Sequence, residues 1–174
     1  LYATPFTASV LRRKLEEAGL QHEAPITLIP MSGKVSLDPF EVELITLTHS
    51  IPEPNAVVVR TRLGAVLHTG DWKLDPNPLL GPTSDEAALR RLGDGGVLAM
   101  VCDSTNVFVE GQSGSEADVR DSLRDLVGRL ENRIAIGCFA SNVARLGTIA
   151  EVAAEHGRQC ALVGRSLWRM AASA

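Results

Sequence analysis

Apolar and polar positions change rhythm along the chain, and each change marks an element. After Thr7, a good N-cap residue, Val10, Leu11, Leu15 and Ala18 fall on one helical face and Gly19 closes it. Residues 41–48 (EVELITLT) alternate instead, with Val42, Leu44, Thr46 and Thr48 on one side, which predicts a strand running into His49. AVVVR (56–60) and AVLHT (65–69) predict two more strands, with Leu63 and Gly64 between them as in a hairpin turn. Pro76, Pro78, Gly81 and Pro82 break the pattern, and Thr83 with Glu86 then reads as the capping box of a short helix stopped by Gly93.

From residue 97 the rhythm is different. VLAMVC is continuously apolar, the pattern of a strand buried on both faces. A Gly/Ser-rich loop at 111–115 ends at Ser115, which caps a helix with the stripe Val119, Leu123, Leu126, Val127 and Leu130. A strand at 134–139, a helix at 143–156 closed by Gly157, a strand at 160–163 and a helical start near Leu167 complete the order. Buried strands alternating with amphipathic helices predict parallel βαβ units with right-handed crossovers. The chain therefore reads as a mixed sheet-and-helix part over 1–108 and a doubly wound α/β part over 109–174. There is no internal repeat.

Composition narrows the class. With 174 residues, 45% hydrophobic and 22% charged, the chain is an ordinary globular one, which excludes disordered and collagen-like classes. Only 4% is aromatic, so the core must rest on Leu, Val, Ile and Ala. No apolar run approaches the roughly 18 residues of a membrane span, and no membrane partner is expected. Arg12, Arg13 and Lys14 lead into Glu16 and Glu17, not into an apolar stretch, so no signal peptide is expected and a cytoplasmic setting is. A net charge of −4 excludes a uniformly basic coat for nucleic acid while leaving room for a local basic groove. Cys102, Cys138 and Cys160 lie in or beside apolar runs without CxxC spacing, and are expected to be buried and reduced.

Two residues carry the first chemical signal. His49 ends a strand in LTHSIPEPN, and Asp71 ends another in VLHTGDWK. A strand end lets a side chain project over the sheet edge, and zinc accepts imidazole nitrogen and carboxylate oxygen at about 2.0–2.2 Å. One carboxylate can also bridge two metals roughly 3.5–4 Å apart. The residues alone equally allow a hydrogen-bonded histidine and an aspartate closing a Gly-Asp turn.

Five ordered motifs add to this: THSIPEPNAVVVRT, AVLHTGDWKLDPNP, VCDSTN, FASNVARL and VGRSL. Together they resemble the ribonuclease J family, β-CASP ribonucleases of the metallo-β-lactamase superfamily. The opening LYATPFTASVLRRKLEEAGL is similar to the segment before that family's third metal motif. The resemblance implies a partial metallo-β-lactamase αββα sandwich over 1–108, followed by the first portion of a β-CASP domain over 109–174. It implies that His49 is a lone metal-ligand histidine and that Asp71 bridges two divalent ions, with zinc expected and manganese suited to the same donors. Asp103 in DSTN corresponds to the acidic residue of the first β-CASP motif, beside the active centre, and joins Asp71 as a catalytic candidate. Ser141 with Asn142, and Arg165 with Ser166, end the next two predicted strands and are candidate contacts for single-stranded RNA, arginine suiting phosphate. The rival for Ser141 and Asn142 is N-capping of the helix that follows.

Departures from the family pattern matter as much. Its His-x-His-x-Asp-His run is absent here and is expected upstream of Leu1, and its later histidines are expected beyond Ala174. The chain therefore reads as a piece of a longer enzyme, a homo-oligomer when complete. Its metal site is incomplete, so these residues alone are expected neither to hold a metal pair nor to cleave RNA. His68 reads as a hydrogen-bonding neighbour of the site, and His156 as a helix-end residue favoured by the helix dipole. His22 carries no signal, Trp72 reads as a loop anchor, and Arg12, Arg13 and Lys14 as a solvated face. Three alternatives stand beside the ribonuclease: a hydrolase of the same superfamily acting on a small ester, a DNA-processing β-CASP relative, and a degenerate copy without activity.

Overall fold

The structure is a computed structural model that describes all 174 residues. Its main layer is a five-stranded sheet in the order β3 (Lys34–Leu37), β4 (Phe40–Thr46), β5 (Asn55–Thr61), β6 (Gly64–His68) and β7 (Ala99–Val101). Neighbours are antiparallel from β3 to β6, as short loops require, while β7 returns parallel to β6 after the crossover helix α2 (Glu86–Asp94). A two-stranded parallel pair, β1 (Tyr2–Ala3) with β2 (Thr27–Leu28), brackets helix α1 (Pro5–Ala18). Three further helices follow: α3 (Glu116–Arg129), α4 (Val143–Glu155) and α5 (Arg165–Ala171). The whole is a mixed α/β arrangement.

The core lies between the sheet and α2. Ile45, Leu47, Ala56, Val58, Ala65 and Leu67 meet Leu92, with Ala88 and Leu89 packed against them. So the core face of the β4 segment is the Ile45 and Leu47 side. The opposite side, read from the alternation as the apolar one, buries Leu44 and then two polar residues, Thr46 and Thr48. Both hydroxyls are hydrogen-bonded, Thr46 to Ser32 at 2.9 Å, so their burial is satisfied. Val58 is fully buried at the centre of the apolar side. Val58→Ala is expected to lower stability by about 2 kcal/mol, read as a shift in the urea midpoint with an unchanged slope.

Helix boundaries follow the side chain that actually reaches an amide. The first helix starts at Pro5, not after Thr7: Thr4 is the N-cap, and proline is suited to the first turn because its missing N–H has no helical partner. Asp85, not Thr83, caps α2, its Oδ1 accepting the Ala88 N–H at 2.8 Å, and the helix runs on to Gly95. Ser115 caps α3 as expected, with Asp118 completing the box by accepting the Ser115 N–H at 3.0 Å. Gly19 and Gly157 close their helices at positive φ, +72° and +64°.

The apolar runs of the second half differ most from expectation. VLAMVC does form a strand, but β7 is an edge, with Met100 60% and Val101 54% exposed, so it is not buried on both faces. Neither 134–139 nor 160–163 enters a ladder, and the parallel sheet expected over 109–174 is not formed by these residues. A strand exists only where a partner offers its amides and carbonyls. Ile134, Ile136, Cys160 and Leu162 instead line an apolar cleft of about 730 Å³ beneath α3 and α4. All three cysteines are free, and none is fully buried: Cys160 is exposed, because the strand expected to bury it is absent.

Candidate active centre at the rim of the sheet

Beyond β4 and β6 the chain makes one more pairing, between Thr48 and Lys73. The Lys73 N–H donates to the Thr48 carbonyl at 3.0 Å, and the Thr48 hydroxyl donates back to the Lys73 carbonyl. His49 therefore leaves one side of this bridge as Asp71 and Trp72 enter the other. Asp103 arrives at the same rim from β7: its N–H donates to the Thr69 hydroxyl at 3.1 Å, and its carbonyl accepts the Trp72 indole N–H at 3.3 Å. Trp72 is thus the loop anchor that its position suggested. His68 turns inward on its own loop, Nδ1 accepting the Gly70 N–H at 3.0 Å, while Gly70 adopts the φ of +61° that a tight turn demands.

Electrostatics distinguish the carboxylates. The Asp103 carboxyl is held below the usual range first by the Thr105 hydroxyl, at 2.6 Å, and then by the Thr105 N–H at 3.0 Å, with the nearby His49 imidazole adding to the effect. Asp71 is exposed and outside this bonding, and His49 is half-buried, its Nδ1 3.1 Å from the Ser50 hydroxyl.

The helices of the second half reach the rim unequally. The Ser50 carbonyl accepts the Ala144 N–H at 3.2 Å, which seats the start of α4, and with it Ser141 and Asn142, beside His49. Asn142 acts there as the N-cap, its Oδ1 accepting the Arg145 N–H at 2.8 Å, while Ser141 is exposed. Arg165 and Ser166 open α5, which is tied to α1 through Arg13 and the carbonyl of Ala172 at 3.0 Å and through Arg169 and Glu17. Both are exposed, and no bond links them to the rim. His156 lies at the far end of α4, its Nε2 3.2 Å from the Arg124 carbonyl.

Behind the rim sits a buried polar cluster that sequence reading misses. Asp75 is 3% exposed. Its carboxylate accepts the N–H groups of Asn77 at 2.9 Å and of Glu116 at 3.0 Å, and pairs with Lys73 at 3.1 Å. Burial pushes its carboxyl up, but the bonds from Glu116, Ser115, Asn77 and Lys73 together outweigh burial and hold it at about 2. Glu116, also buried, takes Arg145 on both oxygens at 3.1–3.3 Å. The only local hint was Asp-Pro-Asn after the Asp71 loop, a turn signal that says nothing of a partner 41 positions away.

As a metal centre, the rim fits in kind and falls short in number. His49 and Asp71 offer the nitrogen and oxygen that zinc accepts. Yet nowhere in the chain do three His, Cys, Asp or Glu side chains gather closely enough to hold an ion.

Comparison with known proteins places this arrangement. Residues 131–174 match the family model described as the β-CASP domain of ribonuclease J. Along nearly its whole length the chain is similar to "Ribonuclease J" of Sinorhizobium meliloti, 46% identical over 98% of this chain. It is similar also to "Ribonuclease J" of Thermus thermophilus, 36% identical over 96%, and to "Ribonuclease J2" of Bacillus subtilis, 34% identical over 96%. The chain belongs to the ribonuclease J family, and it spans about 30% of the length of these relatives. A crystal structure of a protein of unknown function from Enterococcus faecalis V583 shares the fold, with a TM-score of 0.60 at 18% identity, covering 87% of this chain and 39% of that one.

Proposed function

We propose that these residues form part of a metal-dependent ribonuclease that hydrolyses RNA phosphodiesters in RNA processing and decay. The observation that carries the reading is that the segments bearing His49, Asp71 and Asp103 meet at one rim, through the Thr48–Lys73 pairing and the Asp103 bonds to Thr69 and Trp72. Each sits in a motif of the family, in family order. The fold of the complete enzyme is a metallo-β-lactamase part, to which residues 1–108 belong, and a β-CASP part that begins near 109. His49 and Asp71 contribute to a larger ligand set for a pair of divalent ions, zinc first and manganese second. When bound, such ions lower the pKa of water and make a nucleophile available near neutral pH. Asp103, its carboxyl held below the usual range, provides a negative charge near His49 and serves to orient a later histidine of the complete enzyme. Asn142 and Ser141, at the start of α4, offer a side-chain amide and a hydroxyl as donors to an RNA phosphate. Arg165 and Ser166 serve a more distant stretch of the strand.

Two measurements test this. The 174 residues alone should bind zinc weakly, with calorimetry giving a Kd above about 1 µM, since only two donors are in place; tighter binding through His49 and Asp71 contradicts the shared-site reading. The complete protein should cleave a single-stranded RNA oligomer, lose that activity to a chelator, and leave the matched DNA oligomer intact. Equal cleavage of DNA points to a DNA-processing relative, and chelator-resistant cleavage removes the metal role.

A further inference from the structure

The polar cluster behind the rim forms a closed circuit, and the circuit has a use. It leaves the rim at Thr48, which is 1% exposed and immediately precedes His49. The Thr48 hydroxyl accepts the Asp75 N–H at 2.9 Å, and the Thr48 N–H donates to the Ser84 hydroxyl at 2.9 Å. Asp75 passes the connection to α3 by accepting the Glu116 N–H, the first amide of that helix. Glu116 grips the Arg145 guanidinium on both oxygens, and Arg145 lies in the first turn of α4. The next residue back, Ala144, returns the circuit to the rim through the Ser50 carbonyl at 3.2 Å. Lys73 braces the middle, 3.1 Å from Asp75, 3.8 Å from Glu116 and 3.4 Å from the Gly114 carbonyl.

We propose that Thr48, Asp75 and Glu116 act as a positioning chain that fixes the start of α4, carrying Asn142, against the rim that carries His49. Only the description of that rim as a site rests on the ribonuclease reading. The physical argument is directional. Apolar packing lets a helix slide or roll at little cost, whereas bidentate and charge-assisted bonds specify distance and angle. Two residues on the rim, Thr48 and Ser50, thus hold α4 by two routes, one direct and one through the N-terminus of α3. Breaking the indirect route leaves the helix start with the Ser50 bond and its apolar packing, while the far end of α4 stays tied to α3 through Arg124 with Glu151 and Glu155. None of the three residues needs to touch a substrate for this.

The test is hydrogen exchange read by mass spectrometry on the complete protein and four variants, without RNA or metal. Asp75→Asn keeps the shape but replaces one accepting oxygen by a donor, which sets it against the Glu116 or the Asn77 N–H and removes the charge opposite Lys73. It is expected to speed exchange about ten-fold in the first turns of both α3 and α4, with less than about a two-fold change in β4 to β6. Thr48→Val should do the same, and Thr48→Ser, which retains the hydroxyl, should restore the parent pattern. Glu116→Gln should loosen α4 but not the Asp75 end. A response to Asp75→Asn confined to α3, an equal rise in every element, or no change at all would each overturn the proposal. So would failure of serine at position 48 to rescue. Because no cleavage is measured, these outcomes are separate from the fate of the ribonuclease reading, which the chelator and DNA experiments decide.

Discussion

Asp71→Ala in the complete, metal-loaded protein is expected to reduce RNA turnover by about 10³-fold or more while leaving the fold intact. The pairing of a large kinetic effect with a small structural one follows from where Asp71 sits. It is exposed, and its side chain takes no part in the bonds that hold the rim, which run through Thr48, Thr69 and Lys73. Removing an exposed, unengaged carboxylate costs stability within roughly 0.5 kcal/mol. Its loss should therefore be felt only by what it binds. Single-turnover cleavage and a urea midpoint on the same preparation separate the cases. A rate within a few-fold of the parent removes the bridging role, and a rate loss that tracks unfolding makes Asp71 structural. Asp103→Ala provides the contrast, since its carboxylate also closes the turn at Thr105 and its removal loosens that loop.

What was legible in the sequence is what local chemistry decides. Ser115 announces the start of α3 because an N-cap is a local choice of one side chain, and the structure adds Asp118, three residues on, to complete the box. The hairpin of β5 and β6 is legible because Gly64 supplies a backbone at φ +142° beside two β-branched runs. His49 and Asp71 stand out because each follows an alternating run, although β4 ends at Thr46 and β6 at His68, three residues before them. The capping of α2 was missed because Thr83 and Asp85 are both good caps, and only three-dimensional reach to the Ala88 amide chooses between them. The apolar runs at 134–139 and 160–163 suggest strands and form none for a deeper reason. An apolar run reports a preference for burial, while a strand needs a partner, and here the runs line a cleft without pairing. The Asp75 cluster was illegible because each of its links joins residues far apart in the chain, 41 positions for Asp75 to Glu116 and 29 for Glu116 to Arg145. Charges read one at a time look like a solvated face.

That cluster carries the second large effect, on stability. Asp75→Ala strands three donors at once: the N–H groups of Asn77 and Glu116, and the Lys73 ammonium, whose side chain is only 19% exposed. Removing one partner of a buried ion pair is destabilising because the other charge loses its nearest counter-charge, and with Glu116 at 3.8 Å and the Gly114 carbonyl still beside Lys73 the expected loss is about 3 kcal/mol, mostly from the two unpaired amides. The same carboxylate sets an acid limit. Its value of about 2 in the folded chain lies below the unfolded value of 3.8, so the stability it contributes is fully present above pH 4 to 5 and is lost as pH falls toward 2. The loss across that window is on the order of 2 kcal/mol for the parent chain. The alanine variant should start lower at pH 7 and fall less steeply below pH 4, so the two stability curves converge in acid. Parallel curves would mean that other carboxylates govern acid unfolding, and a variant as stable as the parent at pH 7 would mean that the Lys73 pairing contributes nothing net.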